Sequence, residues 1–348
     1  MAYISFKPTD HFNTKLYTGN GSTNAITGVG LQPDFTWLKK RSGVDGHNLF
    51  DTVRGATKVI MTSSTNAEAT EATKLQSWQS DGFTLGSSGV TNANTATFAS
   101  WNWKAGTTSG ISGGTITPSS YSINTTSKFG IYKYTGTGAN ATIAHGLGVK
   151  PDLIIIKSSS AAQQWNVYHS SVGATKALVL NTTAAGDTSS NFWNNTEPDA
   201  SVFTIGTNGQ LNTSSGTYIA YCFAGVKGFS KFGTYMGNAN VDGRFIYLGF
   251  EPAMLMIKRS DGIGGWVMHD NKRPIDAQGF YNVNQNYLQA QDTGGESNNT
   301  NLALDFLSNG FKLRNSAGDT NTNGGNFIYI AWAKNPIVGN NGTAGGAR

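Results

Sequence analysis

The side chains with the clearest potential for chemistry form a repeated pair, an aromatic ring followed four residues later by an acidic group or an imidazole. The three pairs are His47 with Asp51, Trp165 with His169, and Trp266 with Asp270. A ring beside a hydrogen-bonding group on one sheet surface can stack on a sugar and bind its hydroxyl groups. The same residues also suit a hydrophobic core in which the carboxylates pair with nearby arginines, and we favour this core interpretation.

Trp193 stands in a loop-like stretch without a counterpart in the related segments. An exposed tryptophan of this kind is a candidate contact residue, because its ring offers a large apolar face with a polar edge. The alternative interpretation is that the ring anchors its own loop.

Glu197 and Asp199 flank a proline. Residues two apart in a strand face the same side, so these carboxylates meet the minimum requirement for a glycosidase pair. A polar turn before the strand at residues 202–205 explains them better, and we favour the turn.

Asp319, Asn321 and Asn323 reproduce the first half of a calcium-binding loop. The twelfth position of such a loop is Ile330, where the motif requires a bidentate Glu. These three residues are therefore weak metal candidates, and an Asn- and Gly-rich hairpin turn is the favoured interpretation.

The remaining patterns argue against an enzyme. No two of the five histidines have the spacing of a helical metal pair, and no Gly-x-Ser-x-Gly elbow precedes a helical pattern. The single cysteine, Cys222, excludes an intrachain disulfide and a cysteine-based zinc site. We predict no enzymatic activity and no cofactor.

Composition indicates a folded chain of short strands. Charged residues make up 13% of the 348 residues, aromatic residues 11%, and glycine contributes 44. Low charge with many aromatics is the opposite of a disordered composition. The net charge of +5 has no basic cluster and no apolar run reaches the ~20 residues of a membrane span, so we predict neither nucleic-acid binding nor membrane insertion.

A tandem repeat in the sequence positions these side chains. Pro33, Pro151 and Pro252 each precede a short apolar run that ends in a lysine, and they are separated by 118 and 101 residues. Such runs, alternating with Gly- and Asn-rich turns, predict an all-β fold of three tandem homologous antiparallel β-sandwich domains of jelly-roll or lectin-like type. The predicted boundaries are an N-terminal arm (1–16), repeat 1 (17–106), a linker (107–127), repeat 2 (128–230), repeat 3 (231–338) and a C-terminal tail (339–348).

Finer expectations follow from the same repeats. The longer linker predicts that repeat 1 hinges on a rigid unit of repeats 2 and 3. The closing segments predict that Trp101, Tyr221 and Trp332 share one buried position. Only the stretch Ala67–Trp78 has features of a helix, with a short turn as the equal alternative.

The chain resembles a group of marine bacteriophage proteins that carry the same tandem β domain and are labelled tail-fibre or virion structural proteins. The resemblance covers essentially the whole chain. It rests on the opening Phe6–Gly21 and on the segments Gly30–Asp34, Arg54–Lys58, Ser80–Phe83, Ala333–Pro336 and Thr343–Arg348. It implies a protein on the surface of the phage particle, and it supplies no catalytic residues.

The expected function is that of a virion structural protein, a tail-fibre or other appendage component that contacts the host surface. The alternative is a capsid decoration or cement protein, such as a head fibre, and a glycan-degrading spike is less favoured. Expected partners are other virion proteins, further copies of the chain with a trimer favoured, and a host surface glycan. Tyr3, Phe6 and Phe12 are the predicted assembly contacts, with packing of the arm onto its own repeat as the alternative.

Overall fold

The structure is a computed structural model that describes residues 4–273, 282–336 and 338. Within these residues the chain is built from antiparallel strands, and each helix has three or four residues. This confirms the all-β prediction. The helices are the 3-10 turns Pro8–Asp10 and Thr300–Leu302, and α1 Gly89–Asn92, α2 Ser190–Trp193, α3 Gly209–Asn212 and α4 Gly318–Asn321.

Unit 1, residues 12–103, contains a six-stranded principal sheet and a three-stranded small sheet. Its strands are β1 Phe12–Thr18, β2 Asn24–Ile26, β3 Phe35–Lys40, β4 Asn48–Asp51, β5 Lys58–Met61, β6 Ala69–Thr70, β7 Leu75–Gln79, β8 Gly82–Leu85 and β9 Thr97–Trp103. The principal sheet has the order β1-β9-β3-β4-β5-β6, and the small sheet has the order β2-β8-β7.

Unit 2, residues 107–223, adds one strand at the edge of its principal sheet. Its strands are β10 Ser120–Asn124, β11 Phe129–Thr135, β12 Ala141–Ala144, β13 Leu153–Ser158, β14 Asn166–His169, β15 Lys176–Val179, β16 Asp187–Thr188, β17 Val202–Ile205 and β18 Thr217–Phe223. The principal sheet has the order β10-β11-β18-β13-β14-β15-β16, and β12 pairs with β17.

Unit 3, residues 230–336, repeats the arrangement of unit 1. Its strands are β19 Ser230–Met236, β20 Phe245–Tyr247, β21 Phe250–Arg259, β22 Trp266–Asp270, β23 Asn286–Gln289, β24 Ser297–Asn298, β25 Leu304–Leu307, β26 Gly310–Leu313 and β27 Asn326–Pro336. The principal sheet has the order β19-β27-β21-β22-β23-β24, which matches unit 1 strand for strand.

Each principal sheet is buried on both faces. One face packs against the small sheet of its own unit, around clusters that include Phe83, Phe203 and Phe311 respectively. The other face joins a central core to which all three units contribute, including Trp101, Tyr221 and Trp332. This explains why strands such as β3 and β13 are apolar at successive positions, since a strand buried on both faces does not alternate.

The central core changes the expected domain organisation. Unit 1 packs on units 2 and 3 through the shared core, whereas a hinged repeat 1 would contribute no residues to a core that it shares with them. The predicted linker 107–127 also carries structure, because it contains β10, which pairs with β11 along residues Ser120–Asn124. The hinge was the wrong inference from a Gly- and Ser-rich composition that here accompanies an edge strand and the loop before it.

Strand register corrects one predicted equivalence. Trp101 lies opposite Trp37, and Tyr221 lies opposite Ile155 at the same place in unit 2. The corresponding residue of β27 is Ile330, whereas Trp332 matches Trp103 and Phe223. All of these rings are buried, as expected, but Trp332 occupies a different position from Trp101 and Tyr221.

The stretch Ala67–Trp78 contains no helix. It supplies β6 and most of β7, which pair with β5 and β8 respectively. Thr-rich sequence favours this extended structure over a helix.

Candidate functional site

The three aromatic and acidic pairs all lie inside the protein. His47, Asp51, Trp165, His169, Trp266 and Asp270 are each at most 1% exposed. They lie where one principal sheet meets the next, so a ligand in solvent has no access to them. The sugar-site interpretation of these residues is therefore wrong.

The indole rings tie each unit to the one before it. Trp165 donates from Nε1 to the carbonyl of Met61 in unit 1, at 2.9 Å. Trp266 donates in the same way to Val179 in unit 2, also at 2.9 Å. Met61 and Val179 are the last residues of β5 and β15, so the two contacts are equivalent.

The carboxylates carry a second set of ties across unit boundaries. Asp51 accepts hydrogen bonds from Arg54 Nε (2.5 Å) and from the hydroxyl of Tyr221 in unit 2 (2.8 Å). Asp270 accepts from Arg273 Nε (2.6 Å) and from Trp101 Nε1 in unit 1 (3.0 Å). Both ion pairs are fully buried, so each carboxylate holds an arginine and a neighbouring unit together.

The boundary between units 2 and 3 has neither the carboxylate nor the side chain that donates to it at the other two boundaries. His169 stands where the other units have Asp, and Ile330 stands where they have Trp101 or Tyr221. Nε2 of His169 lies 3.3 Å from the carbonyl of Tyr329 instead. The loss of the acceptor therefore coincides with the loss of the donor, which avoids an unpaired buried charge.

Burial dominates the electrostatics of these groups. It lowers the pKa of His169 to about 4 and that of His47 well below its usual value, so both imidazoles are neutral near neutral pH. Burial alone would lower the pKa of Arg273, but Asp270 and Glu296 beside it raise the pKa overall. The two imidazoles therefore stay neutral and the Arg273 guanidinium stays charged near neutral pH, as in a structural network.

Three equivalent buried lysines escaped the reasoning from sequence. Lys39, Lys157 and Lys258 are at most 1% exposed, and burial lowers the pKa of each ammonium group to about 8. Lys39 donates to the carbonyl of Thr293 in unit 3 (3.1 Å), and Lys258 donates to that of Thr183 in unit 2 (3.3 Å). Each lysine lies six residues after the proline of its repeat, and this spacing could have indicated a shared structural role. From the sequence alone it served only to recognise the repeats.

Trp193 is also buried, at 1% exposure. Its ring packs edge-on against Tyr168, with 5.8 Å between ring centroids, and it lies in α2. The prediction of an exposed contact residue is wrong, because the short helix turns this ring into the core of unit 2.

The weak metal candidates do not converge. Asp319 accepts from the backbone of Gly265 and from Gln289 Nε2, while the amide of Asn321 is buried and donates to the carbonyls of Asn240 and Asn315. Asn323 is exposed on the turn. In the described part of the chain no group of three or more His, Cys, Asp or Glu side chains is arranged to hold a metal ion.

The Glu197 and Asp199 carboxylates serve separate structural contacts. Glu197 accepts from Lys150 Nζ (2.7 Å) and the hydroxyl of Tyr168 (2.5 Å). Asp199 accepts from the backbone of Ser201 at 2.6 Å, as a turn residue does. Nothing in this geometry arranges the two groups about a common substrate.

Two of the predicted assembly contacts, Phe6 and Phe12, pack on their own chain. Phe12 is 1% exposed, begins β1 and stacks on Trp332, so it is not available to a neighbouring molecule and its assembly role is wrong. Phe6 lies edge-on to Phe229 at 5.3 Å between ring centroids. Tyr3 lies outside the described residues.

Most of the exposed large apolar side chains, and a groove beside them, lie on unit 3. Four of the seven large apolar side chains that are exposed in the described residues fall within residues 236–247, and they are Met236, Val241, Phe245 and Tyr247. A groove of about 360 Å³ runs beside β19. We call it the β19 groove, and its lining includes Lys227, Lys231, Phe232, Tyr247, Leu248 and Gly249.

None of the helices described in residues 4–273, 282–336 and 338 is both long and apolar enough to cross a membrane. No curated protein matches the sequence. A family model described as a domain of unknown function, DUF7483, matches residues 7–336. The match spans nearly the whole chain, which therefore belongs to the DUF7483 family.

Proposed function

We propose that the chain is a structural protein of a phage particle, an appendage component such as a tail fibre that contacts the host surface. The observation that carries the proposal is the use of its polar residues. The aromatic, acidic and basic side chains that could best do chemistry are buried, and they form hydrogen bonds and packing contacts between the three units around one core. A chain organised in this way supplies rigidity, and the resemblance of its opening and closing segments to phage virion proteins supplies the context.

A second candidate, a capsid decoration protein, is favoured by the cyclic order of the contacts. The backbone of Glu68 donates to Ser159 in unit 2, that of Gly186 to Ser260 in unit 3, and that of Glu296 to Arg41 in unit 1. The distances are 3.0, 3.2 and 2.8 Å. One chain thus presents three similar units around an axis, a shape that suits a threefold position on a capsid lattice.

Electron microscopy of phage particles labelled with an antibody against this chain tests both candidates. Label on the tail or on a projecting fibre supports the appendage, and label spread over the head supports the decoration protein. Absence of the chain from purified particles, measured by mass spectrometry, would refute both. Release of reducing sugars from host polysaccharide by the purified chain would instead support the less favoured glycan-degrading spike.

A further inference from the structure

The edges of unit 2 and unit 3 differ in one respect. In unit 2 the first segment, residues 107–124, folds back, so that β10 pairs with β11 and the backbone of Ile116 donates to Thr142 on β12 at 2.9 Å. Both the principal and the small sheet are thereby closed on this side. Ile116 and Ile123 of this segment are buried, at 7% and 4% exposure.

In unit 3 the same side is open. Among the described residues, β27 is the only strand paired with β19, and β26 is the only strand paired with β20. Met236 on β19 and Phe245 and Tyr247 on β20 are 51%, 44% and 50% exposed. The β19 groove lies at one end of these two strands, where its lining includes Lys231 and Phe232 of β19 and Tyr247 of β20.

The unpaired edge of β19 offers backbone hydrogen bonds. The backbone of Gly237 donates to Gly325, which follows the turn before β27, so the residues of β19 in phase with Gly237 face β27. Phe232 and Thr234 are out of phase and direct their N–H and C=O groups outward. Ser230 has the same phase, but it already exchanges both backbone hydrogen bonds with Val226. A strand added here would therefore bond to Phe232 and Thr234, which correspond to Ile131 and Lys133 of β11.

Charge indicates what the added strand carries. In register, Lys231 of β19 takes the place of Gly130, which lies opposite Ile123 of β10. No carboxylate in the described residues lies within ion-pairing distance of Lys231, whose Nζ donates to the carbonyl of Tyr247 at 2.7 Å. The carboxylate of Asp152, which also lines the groove, already accepts from Ser170 and Gly225.

We infer that the β19 groove binds an extended segment of another polypeptide, which adds an antiparallel strand to β19 and places an acidic side chain opposite Lys231. This inference goes beyond the proposed role in a phage particle and does not depend on it, because the interaction is tested on the purified chain.

The probe is a fluorescent synthetic peptide with the sequence of residues 118–125 and an Ile123→Asp change. We expect saturable binding to the full chain by fluorescence anisotropy, weakened about tenfold or more by Lys231→Glu. A peptide with Ile123→Lys should show the reverse preference and bind Lys231→Glu better than the unchanged protein. Lys15→Glu makes the same charge change on β1, the equivalent strand of unit 1, and should leave binding of the Asp peptide unchanged.

Thr234→Pro removes an outward N–H group from β19 and should abolish binding, provided that its melting temperature stays near that of the unchanged protein. If this variant does not fold, the charge exchange at Lys231 decides alone. Absence of saturable binding, or an equal loss with Lys15→Glu, overturns the inference. So does saturable binding of alginate, an acidic polysaccharide, that depends on Lys231 while the peptide does not bind.

Discussion

The hydroxyl group of Tyr221 donates a 2.8 Å hydrogen bond to the carboxylate of Asp51, which joins unit 2 to unit 1 inside the central core. The same carboxylate binds Arg54, so the bond connects a buried ion pair to the neighbouring sheet. Trp101 repeats the relationship with Asp270 between units 1 and 3.

Removing this hydroxyl group should weaken the boundary. Tyr221→Phe leaves one lone pair of the Asp51 carboxylate without its partner, so the free energy of unfolding should fall by about 1–3 kcal/mol. Urea unfolding at neutral pH measures the change. Tyr247→Phe removes an equal group from a half-exposed ring and serves as the control, and equal effects of the two changes would contradict the prediction.

The buried lysines should make stability depend on pH. Burial lowers the pKa of Lys157 to about 8 from 10.5, so above pH 8 the unfolded chain binds more protons than the folded one. The free energy of unfolding contributed by this group therefore rises with pH above about 8. Relative to a Lys157→Met variant, the unchanged protein should gain on the order of 1 kcal/mol between about pH 8 and 9.

Comparison of the two proteins by urea unfolding separates the contribution of Lys157 from those of Lys39 and Lys258, whose pKa values burial also lowers to about 8. Lys176→Met, on the half-exposed start of β15, is the matched control for the exchange of a lysine for methionine. A Lys157→Met protein whose stability follows the unchanged protein at every pH would refute the assignment.

Loss of a ring from the central core should be costly. Trp101→Ala removes a fully buried indole and its bond to Asp270, and we expect a loss of roughly 3–5 kcal/mol. Trp78→Ala, at a half-buried ring in the small sheet, should cost less. An unchanged urea midpoint for Trp101→Ala would show that the shared core does not stabilise the chain.

Gly130 should hold β10 in place. A Cβ atom at this position would overlap the phenol of Tyr132 and lie 2.8 Å from Ile123, whose side chain enters the core of unit 2 from β10. Gly130→Ala should therefore loosen residues 107–124 and expose them to limited proteolysis. Gly89→Ala, where a Cβ meets nothing within 4 Å, is the control, and equal cleavage of both variants would count against the role of Gly130.

Sequence predicted the strands well, because a proline followed by β-branched and apolar residues is a local signal. Pro33 and Pro151 do precede their strands, and Pro252 is the third residue of the equivalent strand β21, at an irregularity in its pairing with β27. It did not predict the shared core, because a strand buried against its own small sheet and a strand buried against another unit have the same apolar pattern. Ile330 shows the same limit, since residue type pointed to Trp332 and only pairing across β21 and β27 reveals the register.

The candidate site was predictable only as a choice between core and surface. His47 and Asp51 have residue types that occur in both places, and burial depends on contacts more than 100 positions apart, such as Tyr221 with Asp51. The repeated acidic and aromatic residues do have a common role, but the side chains that they contact lie in other units, such as Tyr221 for Asp51.

The ring of contacts among the three units has a consequence for how such a chain changes in evolution. A solenoid can gain or lose a repeat because each repeat touches only its neighbours along the chain. Here unit 3 returns to unit 1, through Glu296 and Arg41 among others, so the circle is complete at three. A fourth unit would therefore have no place in the ring. If a gene lost the segment that encodes one unit, the two remaining units would expose core tryptophan and tyrosine side chains to water.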